Sequence, residues 1–334
     1  MKLLLYSDCH FSRYSSIIRG RGDRFSARLE NLIKSVNWAE NLAYDNSCDA
    51  VICLGDFFDT STIDAETCTA LQDIEWSPLP HYFLVGNHEM YGDFSSMHIL
   101  DLHDRIQVIN ANISKIIDDC ERCYLPYTQK YDSIKNIFGE YKSSKRIILS
   151  HNDISGINYG RFVSTAGFDV RDIEDNCDIM FNGHLHNGGY ASSKIYNVGN
   201  LTGQNFSEDA FKYNHNAIIL DTESLQFEIH ENPHAFNFYK LDLTGVDLIG
   251  DGVDLYLKDN AVVTVKTHHK IDDIKILNKH IVAGRCIIEH TQSEEQLPSI
   301  QLNDVDHLKQ FTKYVLENVG QTDDVVYELS EVCK

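Results

Sequence analysis

Five short clusters of polar residues each follow directly on an apolar run: Asp8-Cys9-His10, Gly55-Asp56-Phe57-Phe58-Asp59, Gly86-Asn87-His88-Glu89, Ser150-His151-Asn152 and Gly183-His184-Leu185-His186. Carboxylate oxygen, imidazole nitrogen and amide oxygen form a mixed hard and borderline donor set. Such a set suits Mn2+, Fe2+ or Zn2+ better than Mg2+, which prefers oxygen alone. Asp8, His10, Asp56, Asn87, His151, His184 and His186 suffice for two divalent ions if one carboxylate bridges. Asp56 is the expected bridge, because the glycine before it lets backbones approach closely. Asp8 and His10, two apart on an extended segment, should point to one side, and so should His184 and His186. Two ions about 3.5–4 Å apart polarise a phosphoryl oxygen and activate water for in-line attack. His88, beside the ligand Asn87 but not needed as a ligand, is then free to protonate the leaving oxygen, a task that suits a pKa near neutrality.

The elements that must position these clusters are legible as short apolar runs at 3–6, 50–54, 81–85, 147–149, 179–181, 195–198 and 217–220. Each reads as a buried strand. Between the first two, residues 26–44 place Leu29, Leu32, Ile33, Val36, Ala39 and Leu42 at helical spacing. Strands alternating with amphipathic helices predict an α/β fold, a β-sandwich flanked by helices. In open α/β sheets ligands bind beyond the carboxyl ends of the strands, so five strand-end clusters should converge on one crevice. After about Phe238 the texture changes. Residues 261–267 and 285–290 alternate like exposed-face strands with a helical stretch, 272–282, between them, which predicts a small α+β domain. Residues 304–319 and 323–332 then read as a closing helix pair. The expected organisation is a catalytic domain over 1–238, a small capping domain over 239–300 and C-terminal helices over 301–334.

With 334 residues, 43% of them hydrophobic, the chain can bury a large core and has room for one large and one smaller domain. Its 29 Lys+Arg against 50 Asp+Glu give a formal charge of -21, which excludes a general basic coat. Contact with nucleic acid must therefore be local, metal-assisted or helped by a partner. One basic island exists: Arg13, Arg19, Arg21, Arg24, Arg28 and Lys34, against Asp23 and Glu30 over the same span. It begins just after His10, so Arg13, Arg19, Arg21 and Arg24 are candidates for DNA phosphates. The competing reading is that these arginines pair with the surplus acid. A second basic edge, with His268, His269, His280 and His290 beside Lys266, Lys270, Lys275 and Lys279, lies in the expected capping domain and reads equally well as a solvated face. The nine cysteines form an odd, scattered set, which points to a reduced, intracellular compartment. Cys120 and Cys123 lack a second pair at zinc-ribbon spacing. The apolar start is too short for a signal peptide and is cut by Asp8, Arg13 and Arg19. No apolar run approaches the roughly 18 residues that a membrane helix needs.

Taken together, Asp8-x-His10, Gly55-Asp56-x-x-Asp59, Gly86-Asn87-His88-Glu89, His151 and Gly183-His184-x-His186 resemble the five motifs of the calcineurin-like metallophosphoesterases in order, spacing and strand context. Within that superfamily the chain most resembles the SbcD-type nuclease subunits, including their bacteriophage versions, which act in recombination and double-strand-break repair. The features are Gly-Asp-Phe-Phe-Asp at 55–59, Leu125-Pro126-Tyr127, and Asn197-Val198-Gly199-Asn200-Leu201 followed by Phe206-Ser207-Glu208. The tail adds Phe238-Tyr239-Lys240-Leu241 leading into Ala261-Val262-Val263-Thr264-Val265 and a helix pair, similar to a DNA-capping domain with an ATPase-docking segment.

The resemblance implies exonuclease action on duplex ends and endonuclease action on single strands or hairpins, with two divalent ions, usually Mn2+. Asp59 joins His88 in the expected catalytic set. The expected partners are DNA, an SbcC-type ATPase subunit and a second copy of the chain in a homodimer, with no membrane. The expected location is the cytoplasm of a bacterial or phage-infected cell. Two positions depart from the pattern: Glu89 stands where the nucleases usually have Asp, as in many phosphatases, and Asn200 stands where they often have Ser. Thr60-Ser61 occupy the place where Ser/Thr protein phosphatases carry Arg-Gly. The alternatives are a phosphatase or phosphodiesterase on a non-DNA substrate, favoured by Glu89 and the net acidity, and a scaffold that keeps the fold without the chemistry.

Overall fold

Along the strand Lys2–Tyr6 the side chains divide by parity. Leu3 and Leu5 enter a core with Ile52 and Ile218, together with Ile147, Leu149 and Phe181 from a different sheet. Leu4 and Tyr6 enter another core with Leu29, Leu32 and Val36 of the helix Ala27–Asp45. A strand buried on both faces shows a continuous apolar run rather than an alternating one, which is why these runs were readable. The computed structural model describes residues 1–157, 163–244, 257–268 and 281–288, the last as a strand without its side chains. All of them belong to one unit, Met1–Glu289.

Two six-stranded sheets carry the chain. The first has the order Phe227–Glu231, Asn216–Asp221, Lys2–Tyr6, Ala50–Cys53, His81–Leu84, Ile106–Ile109, and its last four strands are parallel. The second has the order Gly189–Tyr190, Ile195–Asn197, Ile179–Asn182, Lys145–Ser150, Cys120–Leu125, Ile113–Ile117, with its four middle strands parallel. The two sheets share one apolar layer, and the outer face of the second is covered by the helices Ile134–Phe138 and Val170–Asn176 through Phe138, Ile148, Ile173 and Met180. This is the helix-flanked sandwich that the pattern predicts. The long helix starts where Ser26 accepts a hydrogen bond from the Leu29 N–H at 3.2 Å, a normal N-cap.

A third sheet joins Asn237–Asp242, Ala261–Thr267 and Ile281–Ile288, all parallel. Its last strand begins at Ile281, inside the stretch read from sequence as the end of a helix; β-branched Ile281 and Val282 favour the extended form. The expected helix pair at 304–332 lies outside the described residues. Among the described residues no helix is long and apolar enough to cross a membrane.

The strand Cys120–Leu125 escaped the sequence reading because Glu121 and Arg122 interrupt its apolar pattern, yet both are buried. Glu121 lies opposite Arg146 in register. The wholly buried Arg146 guanidinium donates from Nε to Glu121 Oε2 at 2.9 Å and from Nη2 to the carbonyls of Gly139 and Glu140 at 3.1 and 2.8 Å. Removing one partner of such a pair strands a buried charge. We therefore expect Glu121→Ala to cost about 3–5 kcal/mol in urea unfolding, and Arg146→Met in the same chain to recover most of that loss.

Candidate metal centre

The strand-end clusters are placed by backbone turns rather than by extended segments. Asp8, His10, Asp56 and His184 all have positive φ, at 52°, 47°, 49° and 70°. The extended geometry expected for Asp8 and His10 is therefore corrected: the chain turns left-handed at both. Such turns cost roughly 1–2 kcal/mol at a residue other than glycine, and here two of them brace each other. The Asp8 N–H donates to Gly55 O at 3.1 Å, His10 N–H to Asp56 O at 3.0 Å and Phe11 N–H to Phe57 O at 2.6 Å. The side chains add to this lacing, since Asp8 Oδ2 accepts from the His184 N–H and Asp56 Oδ1 from the His88 N–H, each at 3.0 Å. Gly86 is required where it stands, because a Cβ there would lie 2.2 Å from Asp56 Oδ1.

Each of these histidines is held from outside the centre through one ring nitrogen. His10 Nδ1 faces Asp59 Oδ1 at 3.1 Å and His186 Nδ1 faces Glu208 Oε1 at 2.7 Å. With the hydrogens on those nitrogens, the lone pairs of His10 Nε2 and His186 Nε2 meet at 3.2 Å. Asp8 Oδ1 lies 3.9 and 4.0 Å from the same two atoms and, although buried, has no hydrogen-bond partner. A second group has the same character. His151 Nδ1 is engaged by Leu54 O at 2.6 Å and His184 Nε2 by Asp153 Oδ1 at 3.1 Å. That leaves His151 Nε2 and His184 Nδ1 facing Asn87 Oδ1 at 3.2 and 2.9 Å, with Asp56 Oδ2 at 3.1 Å from His151 Nε2. Asp56 Oδ2 is also 3.9 Å from His10 Nε2, so it stands between the groups. This set of imidazole nitrogens, carboxylates and an amide oxygen fits two borderline divalent cations, with the outer carboxylates orienting the imidazoles. His88 sits at the rim, 41% exposed, and approaches the same atoms: His10, Asp56 and His88 offer ligand atoms within 4.8 Å of one another.

Residues 1–220 match the family model described as calcineurin-like phosphoesterase. The chain belongs to that family. It is accordingly a metal-dependent phosphoester hydrolase, with candidate His/Asp sites for its divalent ions. Similar solved structures include an archaeal phosphodiesterase, 15% identical over 69% of this chain and 99% of that one, with a TM-score of 0.39. A dimetal phosphatase from Danio rerio is 11% identical over 70% and 96%, with a TM-score of 0.43. The phosphoesterase YfcE from E. coli is 10% identical over 70% and 100%, with a TM-score of 0.30. No curated protein matches the chain.

Around the centre of this calcineurin-like phosphoesterase, three acids hold what the ligands need, and the sequence had given none of them a role. Glu208 and Asp153 orient His186 and His184. Glu89 is buried and accepts from the Phe58 and Gly86 N–H groups at 2.9 and 2.8 Å, so it ties the loop of Asp56 to the loop of Asn87. Burial and the nearby Asp56 carboxylate push Glu89 up to about 8. Burial opposes charge on His151, but Asp56 overrides it and raises that imidazole to about 10. Asp56 itself resists its burial because His151 and His10 hold it well below the usual carboxylate range. A signal for Asp153 and Glu208 was available only as unassigned acids near the motifs. The loop carrying Glu208 is also tied to the third sheet, since the Gly203 and Ala210 N–H groups donate to Phe236 O and Phe238 O at 3.1 and 3.0 Å.

The basic island does not form one surface. Arg28 is buried and donates from Nη2 to His10 O at 3.3 Å, behind the centre. Arg13 Nε lies 3.2 Å from Asp64, Arg21 Nη1 2.7 Å from Glu66, and Arg24 Nη1 2.6 Å from Asp73, while Arg19 Nε donates to Ser16 O at 3.1 Å. Such exposed pairs are worth about 0–1 kcal/mol, so a phosphate can compete for them. On the second basic edge, 269–270, 275, 279–280 and 290 lie outside the described residues. The seven described cysteines, Cys120 and Cys123 among them, are free thiols.

Asp56→Asn should leave the fold intact but abolish hydrolysis and remove most bound Mn2+, measured by elemental analysis of the purified protein; retention of two tight ions would refute the bridging role. Glu208→Gln removes no ligand, yet it should weaken metal affinity by about 10–100-fold, as loss of an imidazole's outer partner does.

Proposed function

We propose that this phosphoesterase is a Mn2+-dependent DNA nuclease subunit that works with an SbcC-type ATPase and a second copy of itself in repair, recombination or replication. One observation carries the reading. Three of the segments on which the SbcD-type resemblance rests, 125–127, 197–201 and 206–208, hold no metal ligand and lie directly behind the centre. Leu125 O accepts from the His151 N–H at 3.1 Å, and the Tyr127 ring lies 6.0 Å from His184. The Asn200 N–H donates to His186 O at 3.2 Å and the Leu201 N–H to Ser7 O at 3.1 Å, while Glu208 orients His186. The expected setting is the cytoplasm of a bacterial or phage-infected cell, and the segment expected to dock the ATPase, 301–334, lies outside the described residues.

In this reading Asp8, His10 and His186 would hold one cation, Asn87, His151 and His184 the other, and Asp56 would serve both. Bound there, the ions supply Lewis-acid polarisation of a phosphoryl oxygen and lower the pKa of water. The chain does the rest. Asp59 orients two rings at once, since its carboxylate takes His10 Nδ1 and its carbonyl takes His88 Nδ1 at 2.8 Å. That contact directs the other nitrogen of His88 to proton transfer at the leaving oxygen, and the exposure of the ring gives a substrate access to it. The second reading, a phosphatase or phosphodiesterase on a non-DNA substrate, uses the same groups. It is favoured by the acidic partners that Arg13, Arg21 and Arg24 already have.

The deciding assay gives purified protein with Mn2+ linear duplex DNA, circular single-stranded DNA and a small phosphomonoester side by side. DNA degradation with little phosphomonoester turnover is expected; the reverse result establishes the second reading. His88→Ser should retain its metals and slow cleavage by about 10²–10⁴-fold, whereas loss of metal would make His88 a ligand. Replacing Arg19, Arg21 and Arg24 by Ala should flatten the salt dependence of duplex binding by up to roughly three units, since each phosphate contact contributes about -0.9. An unchanged slope would assign those arginines to internal ion pairs.

A further inference from the structure

Beside the metal centre lies a cavity of about 310 Å³. Its floor is built from the same two backbone segments that carry the ligands: Phe11 follows His10, Phe58 precedes Asp59, and the two meet in a parallel bridge. Both rings are 1% exposed and pack edge to face, with centroids 6.4 Å apart, so the floor is apolar and firmly held. The walls differ from the floor. Tyr14 is 63% exposed, and Ser12, Thr60, Thr62 and Thr67 line the sides, where Ser12 Oγ accepts from the Tyr14 N–H at 3.1 Å and Thr60 Oγ1 donates to Thr62 O at 2.6 Å. An adjoining cavity of about 220 Å³ shares Tyr14 and is lined by Arg13, Arg19 and Arg21. Charge is thus unevenly divided between them: the first cavity is lined by one carboxylate, Asp64, and the second by three guanidinium groups and Glu66, with Arg13 reaching Asp64 at 3.2 Å and Glu66 at 3.9 Å.

A ligand that matches both cavities has a flat, uncharged part with hydrogen-bonding edges joined to an anion. We propose that the first cavity receives one unpaired base of a nucleic-acid strand, with the adjoining phosphate on Arg13, Arg19 and Arg21; this rests on the nuclease reading above and narrows its substrate. The Thr60 and Thr67 hydroxyls, whose hydrogens are engaged, keep lone pairs that accept from a base edge, Thr62 can both donate and accept, and stacking on the exposed Tyr14 ring is tolerant of sequence. Asp64 repels phosphate from the first cavity. It is fixed in place by the N–H groups of Glu66 and Thr67 at 2.9 and 3.1 Å and by the Thr67 hydroxyl at 3.0 Å. Tyr14 stands between the cavities with the Arg13 guanidinium 4.5 Å from its ring centre, so one residue pair presents a stacking face and a cation together. Arginine grips phosphate through paired N–H donors, which displaces the weak surface contacts with Asp64 and Glu66. A base inside a duplex reaches a buried floor only after unpairing and rotating out of the stack. The strand engaged next to the metals is therefore single: a frayed end, a hairpin loop or a gap.

The test uses the full-length protein with Mn2+ and a set of single-stranded oligonucleotides in which one abasic residue is moved stepwise along the strand. An abasic residue at one fixed distance from the cleaved bond should lower kcat/KM by about 5- to 150-fold, the range for losing one base–aromatic stack. That penalty should largely disappear in Tyr14→Ala and in Thr62→Trp, the second of which fills the cavity; metal content of both variants verifies that the centre is intact. Uniform cleavage wherever the abasic residue lies, or the same penalty in both variants as in the parent, overturns the base site and leaves the nuclease reading standing. Failure to cleave any oligonucleotide while a small phosphomonoester is turned over overturns both.

Discussion

Groups that can hold cations crowd together at the heart of this protein. Asp8 Oδ1, His10 Nε2 and His186 Nε2 form one cluster, and Asp56 Oδ2, Asn87 Oδ1, His151 Nε2 and His184 Nδ1 the other. Burying so many polar atoms is costly unless each finds a partner, and Asp8 Oδ1 has none. The arrangement persists because each imidazole is anchored from behind, by Asp59, Glu208, Leu54 O or Asp153, and because left-handed turns at Asp8 and Asp56 are locked by bonds between their loops. Much of the surrounding architecture can be understood as the means of holding these groups together.

The sandwich makes that holding possible. Its parallel central strands all end on one side, so ligands from both sheets arrive at one place without long excursions of the chain. The apolar layer between the sheets joins them, and the covered outer faces bury the central strands. Glu89 then links two of the loops through buried backbone N–H groups.

How much of this could be read beforehand depended on whether a signal was local. The five clusters were legible because residue type and strand-end position coincide in the sequence itself. The strand Cys120–Leu125 was not, because Glu121 and Arg122 look like surface residues until Arg146 is brought opposite. The left-handed turns were hidden because Asp and His, unlike Gly, do not advertise positive φ. The basic island was ambiguous for a similar reason: Glu66 lies 45 positions from Arg21 and Asp73 lies 49 from Arg24, so their pairing exists only once the chain has folded.

The loop that carries Glu208 is hydrogen-bonded to Phe236 and Phe238, at the edge of the third sheet, while its carboxylate steers His186. One short segment thus belongs to two structures at once. Free energies of coupling are reciprocal: whatever firmness the third sheet lends to Glu208 is returned to the third sheet when the centre fills. The third sheet and the centre are therefore linked through that loop, by Glu208 on His186 and by Gln204 Nε2 on Asp8 O at 3.2 Å.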